Sequence, residues 1–191
     1  MGKIFDSITD RLQMWMYEQK MFFVATAPLN ETGHVNCSPK GSDSFRVLDK
    51  NTVAYQDLTG SGIETISHIN ENGRIVIMFC AFAGQPKIVR LHGRGEAIFP
   101  DHSEYNSLRK LFPVKPGIRS IIRVNVNRIC DSCGFGVPLM DFVSDRDTLD
   151  RWSSSKSDDE LLVYQQERNA VSIDGLSGIL TPNNVAEKTQ L

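Results

Sequence analysis

The sequence has little excess charge, few cysteines and no long hydrophobic run, and each shortage excludes a class of protein. Its 191 residues include 21 Lys+Arg and 23 Asp+Glu, so the net charge is −2 and few cations are available to pair with nucleic-acid phosphates. The longest apolar runs, Met21–Ala27 and Ile75–Ala83, are far shorter than the roughly 20 residues of a membrane-spanning helix. Four cysteines are too few for a disulfide scaffold at this length. We therefore expect no nucleic-acid partner and no membrane insertion.

The overall composition is that of a folded intracellular domain. Apolar residues make up 40% and charged residues 23%, which is ordinary for a soluble protein. Asp6 and Asp10 interrupt the first segment where a signal peptide needs continuous apolar residues, so we expect a cytoplasmic location. A chain of this length suits one domain. We expect a single domain over residues 1–180, with an N-terminal helix at 1–18, C-terminal helices at 145–170 and a flexible tail at 181–191.

Short β-branched and aromatic runs between turn residues predict an antiparallel sheet. The predicted strands are Met21–Ala27, His34–Cys37, Phe45–Leu48, Thr52–Tyr55, Arg74–Phe82, Lys87–Ile98 and Ile118–Ile129. Helical periodicity predicts helices at Ile4–Glu18, Asp101–Phe112, Asp145–Trp152 and Asp158–Arg168. A further helix is expected between a capping box of Ser61 and Glu64 and a C-cap at Gly73. The pattern favours a mainly β fold, a small β-barrel with appended α-helices, and the absence of a GxGxxG motif argues against a Rossmann cofactor site.

Four stretches of the sequence resemble one known family in order and spacing. They are Asn36–Leu48 (NCSPKGSDSFRVL), Tyr55–Arg74, Ile77–Phe82 (IMFCAF) and Ser132–Pro138 (SCGFGVP). Together they resemble the pyridoxamine 5′-phosphate oxidase-like family, in its oxidase-related branch. The resemblance implies a six-stranded antiparallel Greek-key split barrel of the FMN-binding type. It also implies a homodimer with two flavin sites between the subunits.

The resemblance also implies which residues approach the FMN phosphate. Lys40, in the Ser38–Gly41 turn, and Arg46 fall where the phosphate and ring contacts of the family begin, although both also fit ordinary solvated charges at strand ends. The turn before the next helix, with Ser61 and Gly62, presents free N–H groups to an anion. There this chain has Glu64-Thr65 in place of the basic pair of the true oxidases. Either Glu64 turns away while Thr65 donates its hydroxyl, or the phosphate is held elsewhere.

The flavin ring requires a donor or cation near N1–C2=O, where reduction places negative charge. Lys87 matches the family position that reaches this edge, and Tyr55 and Asp57 end a strand that faces the same groove. Tyr55 equally fits a half-buried strand aromatic, and Asp57 requires a partner beside a reduced ring. The candidate cofactor-binding residues are Ser38, Lys40, Gly41, Arg46, Tyr55, Asp57, Ser61, Gly62, Thr65 and Lys87.

These features favour an FMN-dependent oxidoreductase-like flavoprotein that works with a small-molecule donor or acceptor. The chain lacks the Trp- and Arg-rich last strand of the true oxidases, so we predict that it does not oxidise pyridoxamine 5′-phosphate efficiently. The alternative is a non-catalytic protein that binds or carries a flavin, haem or a related deazaflavin; a barrel without any ligand is a weaker possibility. Because a flavin itself carries the chemistry, no catalytic acid or base is assigned.

The remaining motifs point to no metal centre. Cys130 and Cys133 form a CxxC motif, which fits a redox pair or half of a zinc site, but no second CxxC or HxxxH accompanies it. His34 and Cys37 are three residues apart on a predicted strand, where side chains at that spacing point to opposite faces. We therefore expect no metal ligands.

Overall fold

The computed structural model describes residues 2–179, which form eight strands and five helices. The strands are β1 (Ile4–Phe5), β2 (Phe22–Thr26), β3 (Asn36–Lys40), β4 (Phe45–Val47), β5 (Thr52–Leu58), β6 (Arg74–Cys80), β7 (Ile88–Ile98) and β8 (Ile118–Ser132). The helices are α1 (Asp10–Glu18), α2 (Glu64–Asn72), α3 (Tyr105–Arg109), α4 (Thr148–Ser154) and α5 (Asp158–Arg168). Six of the strands are five residues or longer, in agreement with the expected six-stranded fold.

All eight strands belong to one antiparallel sheet, ordered β3-β2-β6-β7-β8-β5-β4, with β1 added beside β8. The chain passes from β5 to β6 through α2, so β6 pairs with β2 and not with β5. Among the described residues β3 and β4 do not pair with each other, and the curled sheet stays open between them. This arrangement confirms a mainly β split barrel with appended helices.

The strands alternate between the inside of the barrel and its outer face. Inward side chains form one continuous core with Leu12 and Met16 of α1 and Ile66 and Ile69 of α2. A second, smaller cluster lies on the outer face, where Leu108 and neighbours of α3 pack against β5, β7 and β8. The two helices α1 and α2 therefore complete the core that the open sheet cannot close by itself.

Two glycines mark places where the backbone requires them. Gly73 ends α2 with φ of +70°, which confirms the predicted left-handed C-cap. Gly93 lies at a register shift between β7 and β8, where a Cβ atom would approach the Asn125 carbonyl oxygen to 2.3 Å. Gly93 therefore marks a bulge in β7.

Several predicted boundaries are wrong for identifiable reasons. Ile4 and Phe5 match helical spacing but pair with β8, so the first helix begins only at Asp10. Pro39 does not end its strand, because β3 is an edge strand whose outer side needs no N–H donor. The third helix is limited to Tyr105–Arg109. The predicted tail at 181–191 lies outside the described residues.

No helix among residues 2–179 has the length and apolar character needed to cross a membrane.

Candidate functional site

A polar strip runs along the opening of the barrel, where β3 faces the start of α2 and the end of β5. Asn36 of β3 donates a hydrogen bond from Nδ2 to Thr65 Oγ1 at 2.9 Å, and Ser38 Oγ donates to Asn36 Oδ1 at 3.0 Å. Lys40 Nζ lies 3.4 Å from Asp57 Oδ1 on β5. Since alternate residues of β3 face inward, the strand presents these side chains in one row. We call Ser38, Lys40, Asp57 and Thr65 the seam.

Asp57 is a buried carboxylate, with 1% of its side chain exposed. Arg119 donates from Nε to Asp57 Oδ2 at 2.7 Å, and Ser120 Oγ donates to the same oxygen at 3.3 Å. Burial by itself raises the pKa of Asp57, but the charges of Arg119 and Lys40 outweigh it, so the net effect is a lowered pKa. The carboxylate that the sequence left without a partner is therefore held in its charged form.

Arg119 connects the seam to the C-terminal segment. Its Nη1 donates to the Gly62 carbonyl oxygen at 2.9 Å and to Asn169 Oδ1 at 2.8 Å. Asn169, fully buried at the end of α5, donates from Nδ2 to the Gly60 carbonyl oxygen at 2.9 Å. One guanidinium thus fixes β5, the loop before α2 and the end of α5. Sequence reasoning missed Arg119, which is one of three arginines on β8, and no local signal distinguishes it from Arg123 and Arg128.

The predicted capping box at the start of α2 is wrong. The N-cap is Ile63 without a side-chain hydrogen bond, and Ser61 is exposed. The Glu64 carboxylate instead folds back beside Gly62, where a Cβ atom would lie 2.6 Å from Glu64 Oε2. Among the described residues, the N–H groups of Glu64, Thr65 and Ile66 have no hydrogen-bond partner. The first turn of α2 therefore keeps free donors next to the seam.

Tyr55 lies beneath the seam, fully buried in the core. Its ring packs against Phe22 at 5.7 Å between centroids, and Lys40 Nζ is 5.8 Å from its centroid. The hydroxyl has no partner among the described residues, and burial raises its pKa well above the ordinary value. Tyr55 thus fits the core aromatic that the sequence left open as an alternative.

Arg46 and Gly41 are not part of the seam. Because Phe45 points into the core, Arg46 points to the outer face, where its Nε donates to the Leu111 carbonyl oxygen at 2.8 Å. Its guanidinium also pairs with Asp43 at 2.7 Å, and this hydrogen bond raises the pKa of Arg46. Gly41 contributes its carbonyl oxygen to a hydrogen bond from Ser44. These contacts join the β3–β4 turn to α3.

Lys87 immediately precedes β7, and β7 lies three strand positions from β3 in the sheet, or about 14 Å at the usual strand spacing. Its Nζ is 4.8 Å from the ring centroid of Trp15 and 6.0 Å from that of Phe5. The three side chains line an open cleft together with Lys3, Arg11, Pro86, Asp131 and Cys133. We call this region the Trp15 cleft. Within one chain, the structure does not bring Lys87 together with Lys40.

The histidines and cysteines form no metal centre among the described residues, where no group of three His, Cys, Asp or Glu side chains is placed to bind an ion. His34 instead pairs with Asp174 at 2.6 Å near the C-terminal turn. All four cysteines are free thiols, and Cys133 is exposed.

Comparison with known proteins places these features in one family. The sequence profile described as pyridoxamine 5′-phosphate oxidase matches residues 8–133. "Pyridoxamine 5′-phosphate oxidase family protein ustO" of Aspergillus flavus is 39% identical over 192 aligned positions, which cover 92% of this chain and 77% of that protein.

Two solved structures show the same fold. A HupZ variant from Group A Streptococcus is 25% identical, with a TM-score of 0.53, over 65% of this chain and 99% of its own. HupZ without the histidine-to-alanine substitution of that variant is also 25% identical, with a TM-score of 0.52, over 64% of this chain and 91% of its own.

Proposed function

Because this chain belongs to the pyridoxamine 5′-phosphate oxidase family, we propose that it is a cytoplasmic flavoprotein that binds FMN and exchanges hydride or electrons with a small molecule. The observation that carries this proposal is that β3 presents Ser38 and Lys40 in one row with Asn36, which contacts Thr65 at the first turn of α2, where N–H groups are free. A bound flavin would supply the redox chemistry, and the chain would bind and orient it.

The donor set of the seam fits a phosphate monoester. Lys40 is held only loosely by Asp57, at 3.4 Å, and 23% of its side chain is exposed, so it can turn to a ligand. Thr65 accepts a hydrogen bond from Asn36, which leaves its own O–H free to donate. The first turn of α2 adds backbone donors and the positive end of the helix dipole. Arg119, which donates to Asp57, Gly62 and Asn169, would position the seam.

A homodimer is part of the proposal, and an uncovered apolar face supports it. Phe23 and Ala25 of β2 pair with Met78 and Val76 of β6, and all four side chains point away from the core. None belongs to either hydrophobic cluster, and each is half-buried within the single chain. A contiguous apolar face of this kind is typical of a contact surface. We propose that a second copy of the chain covers this face.

We propose that the substrate is not pyridoxamine 5′-phosphate. After β8 the described residues form α4, α5 and one isolated bridge between Val171 and Ser177, and no further strand carries arginines to the seam. Purified, FMN-loaded protein is expected to produce no pyridoxal 5′-phosphate at enzymatic turnover. Sustained formation of that product would contradict this part of the proposal.

Native mass spectrometry together with an absorption spectrum tests the proposed function directly. Protein purified from its own host is expected to be yellow and to show a dimer mass with two FMN molecules. Colourless protein that remains unchanged after incubation with FMN would contradict flavin binding. A monomer mass with bound flavin would contradict the dimer alone.

A non-catalytic carrier of flavin, haem or a deazaflavin is the second candidate, and Glu64 is the observation that favours it. Its carboxylate lies next to Gly62, in front of the free donors of α2, where it opposes a phosphate dianion. Steady-state kinetics of the flavin-loaded protein separates the two candidates. Turnover with NADH or NADPH and an added acceptor is expected of the oxidoreductase, and a stoichiometric reaction without turnover is expected of the carrier.

A further inference from the structure

We propose that the Trp15 cleft is a second binding site, separate from the seam, and that it takes a planar aromatic carboxylate. The cleft has a volume of about 910 Å³, which is ample for a small ligand. Trp15 and Phe5 provide flat apolar walls, and each also packs against the core from its other side. A planar ring that displaces the Lys87 ammonium from above Trp15 can stack there without rearrangement of the core.

The charges of the cleft select an anion. Lys3, Arg11 and Lys87 line it against one carboxylate, Asp131, whose Oδ1 accepts a hydrogen bond from the Lys3 backbone N–H at 2.7 Å. None of the three cations has a carboxylate oxygen within 4.0 Å among the described residues. Like charges held together without a counter-ion attract an anionic ligand.

The aromatic rings and the cations are close enough to act on one ligand. Lys87 Nζ is 4.8 Å from the Trp15 centroid, and Lys3 Nζ is 5.1 Å from the Phe5 centroid. A ligand ring stacked on Trp15 or Phe5 would carry its carboxylate into reach of an ammonium group. The cleft also depends on residues 2–5, which precede the segment matched by the family profile.

The two tryptophans provide a direct test by NMR. Trp15 lines the cleft, whereas Trp152 packs on Tyr164 in the C-terminal helices, so their indole N–H signals report the cleft and a control location. The full chain is titrated with 2-naphthoate and with neutral 2-naphthamide. The naphthoate is expected to shift the Trp15 signal saturably and leave Trp152 unchanged, and the amide is expected to bind roughly tenfold more weakly. Equal binding of the two ligands, or equal shifts of both signals, would overturn the proposal.

Matched lysine substitutions localise the effect. Lys87→Met is expected to weaken naphthoate binding roughly tenfold, whereas Lys110→Met, at an exposed position after α3, leaves it unchanged. Equal effects of the two substitutions would contradict the site. Saturating FMN is expected to leave the titration unchanged, because the site is separate from the seam; one-for-one competition would overturn that separation.

Discussion

The seam and the Trp15 cleft each place a lysine over an aromatic ring, but they balance their charges differently. In the seam, Asp57 is buried and shared by Arg119 and Lys40, and the same contacts reach Asn169 at the end of α5. In the cleft, Lys3, Arg11 and Lys87 have no partnering carboxylate within residues 2–179, and Lys3 and Lys87 contact only the faces of aromatic rings.

The difference indicates that the charged groups of the seam contribute to the free energy of unfolding because they are buried and paired, whereas those of the cleft are not. A buried carboxylate costs several kcal/mol unless its partners remain, so the seam is coupled to the stability of the whole chain. The cleft lies in contact with solvent and can lose a charge at little cost. Substitutions in the seam should therefore lower the free energy of unfolding, whereas substitutions in the cleft should mainly affect ligand binding.

Removal of Arg119 should give the largest effect. Arg119→Met leaves Asp57 buried without its main partner and is expected to lower the free energy of unfolding by about 3–5 kcal/mol in urea denaturation. Arg123→Met, on the same strand, is the control, because Arg123 pairs with the half-exposed Glu96 and Glu104. Its expected loss is below about 1 kcal/mol. Equal losses would contradict the difference between buried and exposed pairs.

Low pH should lower the free energy of unfolding because it protonates Asp57. Its pKa is lowered in the folded chain, so the carboxylate contributes stability that is complete above its ordinary pKa of 3.8 and is lost as pH falls through the folded-state value. Asp57→Asn is expected to reduce the slope of unfolding free energy against pH below about pH 4, by up to about 1.4 kcal/mol per pH unit. The exposed Asp101→Asn serves as control. A slope unaffected by Asp57→Asn would show that Asp57 is not held charged.

The hydroxyl of Tyr55 should prove dispensable. Since it is buried without a hydrogen-bond partner within residues 2–179, Tyr55→Phe is expected to leave the free energy of unfolding unchanged or raise it by up to about 1 kcal/mol. Tyr17→Phe is the matched control, because the Tyr17 hydroxyl accepts a hydrogen bond from the Val47 N–H at 3.0 Å. Tyr17→Phe should lower the free energy of unfolding by about 1 kcal/mol. A destabilised Tyr55→Phe would reveal a contact absent from the single chain.

Lys87 should have the smallest effect on stability. Lys87→Met keeps an apolar side chain over Trp15 and is expected to change the free energy of unfolding by less than about 0.5 kcal/mol. Urea denaturation beside Arg119→Met measures the contrast between the two regions. A loss above about 2 kcal/mol would make the cleft a part of the folding core and remove the distinction.

Local signals were sufficient for much of the fold. The apolar run of β2, the helical periodicity of α5 and the glycine after α2 each predicted an element whose structure depends on nearby residues. Ile4 and Phe5 were misread, because their partners on β8 are more than 120 residues away. Helical spacing over a few residues does not reveal such pairing.

The candidate site was predictable only in part. The resemblance named Lys40 and Asp57, which are in contact, and Thr65, which contacts β3 through Asn36, whereas Arg46 falls on the other face of its strand. Alternation after the apolar Phe45 was enough to predict that outward position. Arg119 was beyond reach, because its pairing with Asp57 spans 62 residues and depends on the register between β5 and β8.

The central claim is that the seam binds the phosphate of FMN, and titration with FMN and riboflavin tests it most directly. Riboflavin has the same ring system without the phosphate. Lys40→Met is expected to weaken FMN binding roughly tenfold or more while leaving riboflavin binding unchanged, with Lys110→Met as the control in both titrations. If Lys40→Met binds FMN as tightly as the unchanged chain, or weakens both ligands equally, the seam is not the phosphate site.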